Sequence, residues 1–170
     1  MNTSQLKRFA QEARKKLITL VGGKLEAVLT QDSGALRAKA EVIKKLKDEI
    51  NEIGKEALID KVAYTWFNRL VALRFMDAND YQPLGINILS PAKDTAAASP
   101  QILSDIQSGI FPADLKLDKT YINELLNGKT NSSNPDNDIF REVLIAVCND
   151  LHRIFPFLFE RIDDYSELLL

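Results

Sequence analysis

The stretch VAYTWFNRLVALRFMDAND, Val62 to Asp80, decides the fold class. Drawn as a helix at 100° per residue, it gathers Leu58, Val62, Trp66, Leu70, Leu73 and Met76 on one side. Phe67, Val71, Tyr64 and Phe75 carry the apolar arc past half the circumference, and Lys61, Thr65, Asn68, Arg69 and Ala72 fill the remaining strip. A helix apolar nearly all round is normally surrounded by other elements. The pattern therefore predicts a central helix, with Trp66, Phe67 and Phe75 as structural core. Aromatic rings can stack on bases, but at helical spacing they read first as core. Arg74 falls in the middle of the arc and reads as a structural arginine: its stem packs, and its head pairs with a carboxylate of another helix.

The segments on the N-terminal side of this stretch are also helical in pattern. From Thr3 to about Thr30, Leu6, Phe9, Ala10, Ala13, Leu17, Leu20 and Val21 form an apolar face, with Lys7, Arg8, Gln11, Arg14 and Lys15 opposite. Gly22-Gly23 predicts a kink or break, since each glycine costs ~1 kcal/mol against alanine inside a helix. Residues 31–34 offer a turn and an N-cap. ALRAKAEVIKKLKDEINEIGKEALID, residues 35–60, then carries Leu36, Ala40, Ile43, Leu46, Ile50 and Ile53 as a narrow stripe with charged flanks, which suits a helical hairpin or coiled-coil-like arm, with Gly54 a break or a tight packing point. Charge divides at the same place. Residues 1–61 hold 13 Lys and Arg against 9 Asp and Glu, whereas residues 62–170 hold 9 against 15. The expected organisation is a basic helical arm or hairpin over 1–61 and a helical core over 62–170.

Beyond Asp80 the periodicity dissolves. Pro83, Gly85, Pro91 and the run TAAASP predict a long surface connection from Tyr81 to Pro100, with ILS at 88–90 its single strand-like fragment. Ser99-Pro100 predicts the start of a short helix ending at Gly109. A second short helix is expected over Asp118–Asn127, closed by Gly128. NGKTNSSNPDND, from Asn127 to Asp138, reads as a flexible loop whose Asn134 or Asp136 caps a helix over about Asp138–Phe155. Pro156 ends that helix, and FLFERI adds a final turn. No alternating strand pattern of useful length occurs. The fold class expected is all-α, a multi-helix domain around a central apolar helix.

Several functions are excluded by what is missing from the 170 residues. The longest apolar run, Val143–Val147, falls far short of the ~20 residues that cross a bilayer, and the N-terminus lacks the apolar stretch of a secretory signal. Cys148 is the single cysteine and His152 the single histidine, so no intrachain disulfide and no zinc site of several Cys and His ligands can form; a reducing, cytoplasmic setting follows. Cys148 and His152 lie one helical turn apart, but nothing supplies the oxyanion hole or orienting group that a thiol nucleophile needs. No phosphate-binding GxxxxGK[ST], dinucleotide GxGxxG or GxSxG motif is present. No catalytic, cofactor-binding or metal-binding residue is therefore assigned. The remaining candidate site is the cationic face Lys7, Arg8, Arg14 and Lys15, whose spacing can follow a phosphate backbone without reading sequence.

VAYTWFNRLVALRFMDANDYQPLGI, with the opening LKRFAQEARKKLITLVGGKLEAVL and the closing LFERIDDYSELLL, resembles the N-terminal region of the PglX family, adenine-specific DNA methyltransferases of bacteriophage-exclusion (BREX) systems. The similarity covers essentially the whole chain. It implies a parent enzyme that moves a methyl group from S-adenosylmethionine to adenine N6 in DNA. In such enzymes an Asn-Pro-Pro-Tyr type motif holds the flipped adenine and a glycine-containing loop holds the cofactor. Here Asn134-Pro135 is followed by Asp136-Asn137 and no cofactor loop is present, so no catalytic residue is carried over. The chain, ending on SELLL, reads as an N-terminal domain of a much longer enzyme. It is expected to support the catalytic domain of the same polypeptide and to contact DNA through the basic arm. Alternatively, the charged hairpin docks other phage-defence subunits.

Overall fold

The computed structural model describes residues 3–160 and 164–170, and every regular element among them is helical. In chain order these are α1 (Thr3–Thr30), α2 (Gly34–Arg37), α3 (Ala40–Ile53), α4 (Lys55–Ala78), α5 (Gln101–Gln107), α6 (Lys119–Leu126), α7 (Pro135–Leu151) and α8 (Asp164–Glu167). The chain forms two compact units, one of Met1–Asn68 with Ile162–Leu170 and one of Arg69–Arg161. The division falls within α4.

In the first unit α1 continues through Gly22-Gly23 without a break. Val21, Leu25 and Val28 are buried on either side of the glycines, and that burial outweighs two unfavourable propensities. Leu46 of α3 is fully buried. The 35–60 segment breaks twice rather than once, first at Ala38–Lys39 and again at Gly54. Ser33 caps α2, its Oγ accepting from the Leu36 N–H at 3.2 Å. Gly54 sits at φ 88°, ψ 152°, a conformation that side chains exclude, and its N–H closes α3 on the Ile50 carbonyl at 2.9 Å.

In the second unit α7 carries Ile139, Val143, Leu144, Val147 and Leu151 into the core. Asn134 caps it, accepting from the Asn137 N–H at 3.1 Å, and Pro135 takes the first helical position. The helix ends at Leu151, sooner than Phe155, because the chain tightens into turns there. The N–H groups of Arg153 and Ile154 donate to carbonyls three residues back. FLFERI begins in a turn, the Phe159 N–H donating to the Phe155 carbonyl at 2.9 Å, without a regular helix among its described residues; Arg161 and Ile162 lie outside them. Pro100 occupies the cap position of α5 itself, while Asp118 caps α6 by accepting from the Tyr121 N–H at 2.9 Å.

The long connection is more organised than its composition suggests. ILS forms no strand. Instead, the N–H groups of Ile88, Leu89 and Ser90 and the Ser90 hydroxyl all donate to the Asp77 carboxylate at 2.8–3.0 Å. Gln82 Nε2 donates to the same carboxylate at 2.6 Å and to the Leu73 carbonyl at 3.2 Å. Asp77 is 3% exposed and Ile88 fully buried. Residues 82–90 thus wrap an anion at the end of α4.

Helix α4 needs the largest correction. It is apolar on both sides, as its sequence suggests, but only one face is buried; the other, with Tyr64, Val71 and Phe75, is exposed. Trp66 is 1% exposed and Phe67 half-buried, but Phe75 is 59% exposed, and Tyr64 and Arg74 are exposed too. The buried arginine is Arg69, 2% exposed, whose Nη2 donates to the Glu160 carbonyl. At 100° per residue Arg69 falls between Trp66 and Met76 on the buried meridian, whereas Tyr64, Val71 and Phe75 cluster on the opposite one. Arg69 takes the structural role expected of Arg74.

Three substitutions test this arrangement by stability. Asp77→Ala strands three backbone N–H groups and is expected to cost about 3 kcal/mol or more in urea unfolding; a loss under ~1 kcal/mol would mean the loop does not depend on the carboxylate. Trp66→Ala is expected to cost ~3–5 kcal/mol, and Phe75→Ala to stay within about 0.5 kcal/mol of wild type.

Candidate functional site

The first candidate is the cationic face of α1. No residue of α1 before Val21 is buried, so the first four to five turns present all four predicted cations to solvent. Two are paired: Arg8 Nε lies 2.8 Å from Glu12 Oε1, and Arg14 Nη2 lies 3.6 Å from Asp60 Oδ1. Both pairs are more than half exposed, a situation in which ion pairs contribute little and exchange readily. Lys7 and Lys15 have no ion pair among the described residues. Leu6, Phe9 and Leu20 of the same helix are 51–58% exposed; the arm offers apolar as well as basic surface.

The Cys148–His152 pair does not form. Cys148 is fully buried, and burial pushes its thiol up to about 12, with the Arg69 charge a smaller opposing influence. A thiol held neutral is a poor nucleophile. His152 turns away, its Nδ1 lying 2.7 Å from the Phe159 carbonyl. Because a carbonyl can only accept, this nitrogen carries the proton. Among the described residues no group of three or more His, Cys, Asp or Glu side chains is placed to hold a metal ion, and no helix is long and apolar enough to cross a membrane.

A cleft of about 360 Å³ with several charged lining residues lies between α7 and residues 116–118. Its charges are largely occupied. Arg153 pairs with Asp150 at 2.7 Å, Glu142 with Arg141 at 3.3 Å, and Asp118 caps α6. Such a set explains the local packing without a ligand.

Comparison with known proteins supplies what the geometry does not. Over its whole length the chain is 32% identical to the adenine-specific methyltransferase BrxX of Escherichia coli O9:H4 (strain HS), and over 99% of its length it is 30% identical to the adenine-specific methyltransferase PglX of Lacticaseibacillus casei (strain Zhang). This chain belongs to the BrxX and PglX family of adenine-specific methyltransferases. It spans about 15% of the length of those relatives. No protein-family profile matches it.

Within this BrxX/PglX segment, Asn134-Pro135 forms a helix start, Asn134 Oδ1 accepting from the Asn137 N–H at 3.1 Å. Sequence reasoning missed a second polar cluster. Lys61 Nζ of α4 donates to Glu49 Oε1 of α3 at 2.7 Å and to the Tyr165 hydroxyl of α8 at 3.1 Å, and it lies 5.9 Å from the Tyr165 ring centre. Three segments of the first unit converge on one ammonium. Tyr165 is 104 positions from Lys61, so no local spacing could have announced it. The hydrogen bond from Lys61 holds the Glu49 carboxyl below its ordinary 4.5, and the same bond raises Lys61.

That coupling has a pH signature. A lowered carboxyl contributes in full above its ordinary value and loses the contribution as pH falls through the folded-state value. Wild type should therefore melt above Glu49→Gln at pH 7, with the gap closing as pH drops through and below about 4.5. Circular dichroism melts across that range read it; a gap independent of pH would remove Glu49 from the cluster's energetics.

Proposed function

We propose that this chain is a non-catalytic helical domain of an S-adenosylmethionine-dependent, adenine-N6 DNA methyltransferase of a cytoplasmic phage-exclusion (BREX) system. In this reading it supports the catalytic domain of the same polypeptide and contacts the DNA backbone through Lys7, Arg8, Arg14 and Lys15. The observation that carries the second part is the exposure of Lys7, Arg8, Arg14 and Lys15 on the first half of α1, a helix with no buried residue before Val21. Cations so displayed can replace condensed counterions along a duplex without touching base edges. Their weak intramolecular pairs, Arg8 with Glu12 and Arg14 with Asp60, lose little when phosphate takes the carboxylate's place. The first part draws support from the relatives, both described as adenine-specific methyltransferases and both about six times longer than the matched segment.

The test uses the 170-residue chain and a fluorescent DNA duplex. Binding followed by anisotropy is expected to weaken as salt rises, with a log–log slope of up to about −3.6 if all four cations are engaged. Reversing the four charges to glutamate should abolish it. Undiminished binding by the reversed variant would dismiss the arm as the DNA contact. Methyl transfer from labelled S-adenosylmethionine by the wild-type chain, above background, would dismiss the non-catalytic reading.

A further inference from the structure

A groove of about 390 Å³ runs where the end of α1 meets α2 and the first half of α3, wholly within the first unit. Its volume lies near the lower end of the ~300–1,000 Å³ typical of binding clefts. The larger apolar side chains lining it are Val28, Leu29, Leu36 and Ile43. Val28 is buried, whereas Leu29, Leu36 and Ile43 are only half-buried, so apolar surface reaches solvent there. Arg37, Lys44 and Lys47 line the same groove and are exposed. The one carboxylate among the lining residues, Asp32, sits 3.5 Å from Arg37, which leaves Lys44 and Lys47 facing no lining acid. Both lie on α3, three residues apart, about 4.5 Å along the axis at 1.5 Å per residue.

We propose that this groove docks an acidic amphipathic helix of a protein partner. Apolar side chains one turn apart on the partner would enter between Leu36 and Ile43, and glutamates or aspartates flanking them would face Lys44 and Lys47. Charge complementarity chooses this occupant. A cationic rim selects an anionic partner, and the apolar lining selects one that carries aliphatic side chains, the arrangement by which helices lie in grooves. A nucleic acid would satisfy the lysines but leave the leucines and isoleucine against phosphate. The site is separate from Lys7, Arg8, Arg14 and Lys15, and the inference goes beyond the DNA-backbone reading of α1.

The probe is a fluorescein-labelled synthetic peptide with leucines at i, i+3, i+4 and i+7 of a helix and glutamates on both flanks, titrated with the 170-residue chain. Saturable binding is expected to weaken with salt and to fall by roughly tenfold or more in Lys44→Glu/Lys47→Glu. That variant should in turn gain affinity for the matching peptide with lysine flanks. Both substitutions are on the surface, and an unchanged circular dichroism melt checks that the fold is retained. Reversal of Lys7, Arg8, Arg14 and Lys15 should leave peptide binding as it was, so failure of the DNA reading and failure of this one are told apart. No peptide binding, equal binding by the Lys44→Glu/Lys47→Glu variant, or peptide displacement by duplex DNA at stoichiometric amounts would each overturn the proposal.

Discussion

A segment with neither helix nor strand must still find partners for its backbone N–H groups, because a buried donor left unmade is expensive. In residues 82–90 those partners converge on one side chain. The Asp77 carboxylate accepts three consecutive backbone N–H groups, a serine hydroxyl and a glutamine amide. Its position is fixed by the buried face of α4, where Leu73 and Met76 pack. Gln82 extends the arrangement back to the Leu73 carbonyl. The entry into α5 follows from it, since the Gln101 N–H donates to the Ser90 carbonyl and the Ile102 N–H to that of Asn87. One anion thus does for this connection what a sheet ladder would do for a strand.

How much of this was legible in the sequence depends on whether local rules or distant partners decided each element. The helices of α1, α6 and α7 follow apolar spacing and caps such as Asp118 and Asn134, which act within three residues of themselves. Gly22-Gly23 misled because propensity is a weak prior against the burial of Val21 and Leu25. The face of α4 was misjudged for another reason. Hydrophobicity counted Tyr64, Val71 and Phe75 as core and Arg69 as surface, whereas angular position alone sets Arg69 beside Trp66 and Leu73. An arginine can enter a core when a carbonyl such as that of Glu160 receives it. The candidate cations of α1 were visible as residue types, but their exposure and their pairing with Glu12 and Asp60 were not. The Lys61–Glu49–Tyr165 cluster was invisible, since it joins residues far apart in the chain.

The two units differ in how they use charge. In the second, charged groups are largely consumed within the fold, with Asp77 in its nest, Arg69 on a carbonyl, and Asp150 and Glu142 paired with arginines. In the first, Lys61 is committed but most cations of α1 and α3 stand in solvent. Basic residues kept exposed while an apolar groove opens beside some of them suit association better than stability, for exposed charges contribute little to folding.

Space and torsion are separate constraints, and the joint between α3 and α4 separates them. A methyl group added at Gly54 would meet no heavy atom within 4 Å, so packing alone would admit alanine. The backbone would not, because φ 88° with ψ 152° is reached comfortably only without a Cβ. Sequence drift at this joint is therefore limited by the path of the main chain, and a repacked neighbourhood could not relieve it.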